Sequence, residues 1–96
     1  MKTYSLSDEA VQDLEDLCDY IAQTNPKAAS QIFDEIRQKA KLLAQFSSLG
    51  KSYDRLAPNL RGAIVHDYII FYYPRTNGID IARIISGYRD LNTLFE

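Results

Sequence analysis

At 96 residues the chain has room for one domain with a modest core, and residues 1–96 are assigned to a single unit. Hydrophobic residues make up 46% of it and charged residues 25%, which excludes disorder, and a net charge of −2 gives no general attraction to nucleic acid. The single cysteine, Cys18, excludes an internal disulfide, and no apolar run reaches signal-peptide or membrane-span length. The expected setting is the cytoplasm, with no membrane partner.

Lys2 to Leu6 alternates as a short strand. Ser7 suits a helix N-cap, and Asp8 and Glu9 fall in the first turn, where the helix dipole favours acids. Ala10, Leu14, Leu17, Cys18 and Ile21 then recur at helical spacing, predicting an amphipathic helix over residues 8 to about 23. Its many acids read as a solvated face, and Cys18 falls in the apolar stripe. Asn25-Pro26 caps and starts a second helix, whose stripe is Ala29, Ile32, Phe33, Ile36, Ala40 and Leu43. So short a connection makes the pair an antiparallel hairpin, and both stripes need a sheet to cover them.

Residues 46–59 read as a connector containing Gly50 and Pro58. Arg61 to Val65 is a strand turning at His66-Asp67 into the run Tyr68 to Tyr73, which Pro74 is expected to end. Asn77-Gly78 supplies residues that tolerate positive φ, and Ile79 to Ile85 returns as the last strand. The expected class is therefore α+β, in the order β-α-α-β-β-β. The sheet should be mostly antiparallel, with the helical hairpin packed on one face. On the central strand Tyr68, Ile70 and Tyr72 share one face, and Ile69, Phe71 and Tyr73 the other. Both faces are apolar, so each needs a cover.

No motif in the chain signals a metal, a cofactor or a phosphate loop. His66, the one histidine, sits beside a turn with no partner specified for it. Acid–base chemistry on RNA would draw on a cationic cluster with a proton shuttle, for which Arg61, Arg83, Tyr88 and Arg89 are the candidates. Arg83 stands out because it interrupts an apolar strand, where an ion pair is its bland explanation.

The element order, RGAIVHDYIIFYYP and IDIARIISGYRDLNTLF together resemble the RelE/ParE superfamily of type II toxins over nearly the whole chain. The resemblance implies a cognate antitoxin that wraps and neutralises the toxin. RelE-like members cleave messenger RNA on the ribosome, commonly with Arg after the third-strand tyrosine and a catalytic Tyr near the end. This chain has Ile69 and Phe95 at those places. The run A-R-I-I-x-G-x-R-D-L looks instead like the ParE branch, whose members inhibit DNA gyrase without nuclease residues, although Ser86-Gly87-Tyr88-Arg89 replaces the usual His-Gly-Ala-Arg. The expected function is thus a ParE-like gyrase inhibitor that meets DNA only through gyrase or the antitoxin. The competing readings are a ribosome-dependent endoribonuclease and a family member that only binds its antitoxin. The antitoxin is expected on Tyr68, Ile70, Tyr72 and Arg83, on the sheet face away from the helices. The target is expected on Tyr88, Arg89 and Phe95 in the terminal segment, or on the hairpin tip from Gln23 to Lys27.

Overall fold

The Ser7 hydroxyl accepts the amide of Ala10 at 3.0 Å and opens α1 (Asp8–Ala22), as expected of an N-cap. The Asn25 side chain likewise accepts the Ala28 amide at 3.0 Å and opens α2 (Pro26–Gln45), with proline in the first turn. These helices belong to a computed structural model that describes residues 1–87 of the chain. Before them lies β1 (Thr3–Leu6), and after them come β2 (Lys51–Ser52), β3 (Arg61–Val65), β4 (Tyr68–Arg75) and β5 (Gly78–Ser86). The strands form one sheet in the order β1-β5-β4-β3-β2, antiparallel throughout except that β1 runs parallel to β5. The class is α+β with the helical hairpin on one face, as the sequence implied.

Three local details differ from expectation. The connector contributes a two-residue strand, β2, that covers only the start of β3. Pro74 does not end β4, which continues to Arg75 opposite Gly78. Tyr72 is the last β4 residue opposite β3, so the amide that proline lacks would have faced no neighbouring strand. In the β4–β5 turn Gly78 has a positive φ of 136°, while Asn77 does not.

The sheet buries both faces. Beneath the helices, Ile70, Tyr72, Ile79, Ile81 and Ile84 meet Leu17, Ile36, Ala40 and Leu43. Each fully buried Leu or Ile contributes about 1.5–3 kcal/mol, so this layer carries most of the stability. On the far side Ile69, Phe71 and Ile85 are covered by the connector through Tyr53 and Leu60, with Leu56 and Ala57 at the margin. Tyr53 meets Phe71 edge to face, with ring centroids 5.0 Å apart.

The apolar spacing of β5 slips once. Ile79 and Ile81 lie on the helix side at the usual step of two, but the next helix-side residue is Ile84. A bulge absorbs the extra residue: Phe71 stands opposite Arg83 and Tyr72 opposite Ile81, leaving Ala82 without a partner.

Candidate functional site

The bulge on β5 is where α1 is fastened to the sheet. The Ser7 hydroxyl, besides capping α1, donates to the Ala82 carbonyl at 2.7 Å, and the Ser7 amide donates to Ile81 O at 2.9 Å. Asp13, nearly two turns further along α1, accepts Arg83 Nε at 2.7 Å and a terminal guanidinium nitrogen at 2.9 Å. The same carboxylate accepts the Ile84 amide at 3.0 Å, on β5 beyond Ile81, the last residue that β1 pairs. The Asp13 bond holds the Arg83 guanidinium above its ordinary range against the opposing effect of burial. Arg83 is thus a fastening between strand and helix, fixed in direction by a bidentate carboxylate.

Arg61 is occupied differently. Its Nε donates to Gly50 O at 3.0 Å, and a terminal nitrogen donates to Gly50 O at 2.6 Å and Ser48 O at 3.0 Å. Across the ladder, the Tyr72 hydroxyl donates to Ser47 O at 2.6 Å and accepts the Gly50 amide at 3.0 Å. Arg61 and Tyr72 together therefore clamp the loop that follows α2. The structure brings these two candidates together, but it does not bring Arg61 to Arg83: one grips that loop and the other grips α1.

The groove expected on Tyr68, Ile70 and Tyr72 is a misplacement. Ile70 and Tyr72 are fully buried, and their face is the one the helices cover. The far face is closed by the chain's own connector. Tyr68 is half-buried at the margin of the helix-side core, and burial first, then the Asp67 charge, pushes its phenol up. Tyr88, Arg89 and Phe95 lie outside the described residues.

Two groups of proton-transfer chemistry, a histidine and a thiol, lie among the described residues. His66, at φ 54° in the β3–β4 turn, meets the exposed Glu35 carboxylate through its Nε2. Burial and then the neighbouring Asp19 push the Cys18 thiol up, which disfavours the nucleophilic thiolate. Among the described residues no group of three His, Cys, Asp or Glu side chains could hold a metal ion. No helix of the described residues is long and apolar enough to cross a membrane.

Apolar surface is more plentiful. Ile64 on β3 is 68% exposed and shares a depression of about 330 Å³ with Leu42 of α2, while Tyr20, Phe46 and Leu49 are also open. The ion pair of Asp13, the bond of Ser7 to the Ala82 carbonyl and the packing of the connector residues were missed in the sequence. The step of three from Ile81 to Ile84, with an arginine inside it, was the available signal for the bulge.

Comparison with known proteins places this arrangement. Residues 4–91 match the model of the ParE toxin of the type II toxin–antitoxin system parDE. The chain belongs to the ParE toxin family. A relative from Caulobacter vibrioides named Toxin RelE3 is 34% identical over 88 residues, covering 88% of this chain and 92% of the relative. A solved structure described as the chromosomal ParDE toxin–antitoxin system from P. aeruginosa superimposes with a TM-score of 0.74 at 20% identity. The superposition covers 90% of this chain and 96% of that one, a likeness of fold. As a ParE-family chain this is the toxin of a type II pair, and the family implies a cognate antitoxin. In this chain the two candidate arginines among the described residues, Arg61 and Arg83, both hold the fold.

Proposed function

We propose that this ParE-family toxin acts by binding: it inhibits DNA gyrase, is neutralised by its antitoxin, and does no bond chemistry itself. The observation that carries this reading is the engagement of Arg61 and Arg83. A nuclease that stabilises a phosphorane-like charge needs cationic donors aimed at the scissile phosphate. Here Asp13 holds the guanidinium of Arg83, and backbone carbonyls hold two nitrogens of Arg61. The exposed apolar side chains at Tyr20, Phe46, Leu49 and Ile64 suit a protein whose work is contact with partners. Contact with gyrase is assigned to the exposed tip from Gln23 to Lys27 or to the segment carrying Tyr88, Arg89 and Phe95.

The test is supercoiling by purified gyrase with and without the folded chain. Loss of supercoiling with accumulation of linear, cleaved DNA is the expected outcome. Unchanged supercoiling would overturn the gyrase reading. Ribosome-dependent cleavage of messenger RNA, abolished by Arg89→Ala, would then identify the nuclease, and absence of growth arrest would identify a chain that only binds its antitoxin.

A further inference from the structure

An apolar groove lies open between the two helices at the tip end of the hairpin. It holds about 500 Å³, and every described residue that lines it belongs to α1 or α2. The short side chains of Ala22 and Ala29 leave the space, and Phe33, 41% exposed, supplies an apolar wall. Pro26 also lines it, so the groove reaches the tip from Gln23 to Lys27.

Charge selects what the groove can take. Asp19 on α1 and Asp34 on α2 stand exposed on its walls, and among the described residues no Lys, Arg or His lines it. Neither carboxylate is in an ion pair among the described residues, whereas Asp13 further back on α1 is matched by Arg83. Nucleic acid carries the wrong sign for such a groove, and a second copy would set the same carboxylates against each other. What fits is an apolar side chain flanked by lysine or arginine. An enzyme that holds DNA presents such cations to the phosphates. The six acids of α1, on a helix with no base, add attraction for a basic surface at a distance.

We propose that the hairpin groove receives a basic segment of gyrase. One apolar side chain of that segment sits between Ala29 and Phe33, and its flanking cations face Asp19 and Asp34. The proposal rests on the gyrase reading, and it places the target contact at the hairpin tip instead of the terminal segment.

Supercoiling by purified gyrase, titrated with the full chain and with two surface variants shown to be folded, tests this. Asp19→Lys combined with Asp34→Lys reverses the sign of the walls. Ser30→Trp, at an exposed position that also lines the groove, fills it without changing its charge. Each variant should raise the concentration that halves supercoiling by at least about tenfold, and each should still bind the cognate antitoxin as the parent does. If the parent inhibits and both variants inhibit as well as it does, the groove proposal is overturned and the gyrase reading stands. If the folded parent leaves supercoiling unchanged, the gyrase reading falls and the groove proposal falls with it. Loss of antitoxin binding by both variants assigns the groove to the antitoxin and overturns the proposal.

Discussion

Replacing Asp13 by alanine should loosen α1 from the sheet more than any other single surface-facing change. The carboxylate satisfies two guanidinium nitrogens of Arg83 and the Ile84 amide, at 2.7, 2.9 and 3.0 Å. The pair is largely enclosed, with the Arg83 side chain 23% exposed and the Asp13 side chain 13%. An orphaned buried amide costs about 1–3 kcal/mol, and breaking a buried ion pair about 3–5 kcal/mol. Water reaches the freed guanidinium in part, so the two effects together should come to about 3 kcal/mol. With a urea dependence of about 1.5 kcal/mol per molar, the unfolding midpoint should fall by about 2 M with an unchanged slope. A double-mutant cycle with Arg83→Met separates the pair from the amide and should give a coupling of about 2 kcal/mol. An Asp13→Ala loss below about 0.5 kcal/mol, or a coupling near zero, would refute the fastening role. It would also free Arg83 for the phosphate chemistry that its engagement argues against.

Tyr72→Phe removes a hydroxyl that both donates to Ser47 O and accepts the Gly50 amide, and should cost about 1–3 kcal/mol in the same urea experiment. Gly78→Ala should be worse. Its φ of 136° disfavours any Cβ, and a methyl there would run into the Thr3 carbonyl, so thermal melting should show a loss of at least about 3 kcal/mol. Cys18 should react several-fold more slowly with a disulfide reagent at pH 8 in the folded chain than in urea, because burial and Asp19 hold its thiol protonated. The linked stability follows the same sign. It is full below the ordinary thiol range and declines as pH rises through it, and the decline should be absent from Cys18→Ala.

The helices were readable because their signals are local: Ser7 and Asn25 cap, and the apolar stripes repeat at 3.6. The faces of β4 were correctly separated, but a period of two is symmetric and does not say which face the helices take. Tyr68, Ile70 and Tyr72 were for that reason assigned to a groove, when Ile70 and Tyr72 lie under the hairpin. The far-side cover was invisible for a related reason. Tyr53 and Leu60 lie in and just after an aperiodic connector, and that segment is brought to the sheet by long-range contacts: the clamp by Arg61 and Tyr72 on the preceding loop and the pairing of β2 with β3. Arg83 was noticed, but its partner lies 70 positions earlier on a face read as solvated acids.

That acidic face and the bulge bear on one another. Asp13 is one of six acids on a helix with no base, and its charge is matched because β5 delivers Arg83 beside the bulge. The other five acids of α1 are exposed, where solvent screens them. Asp13 is the one partly enclosed, so the irregularity in β5 that sets Arg83 against it is what lets this face of an acidic helix lie on the sheet.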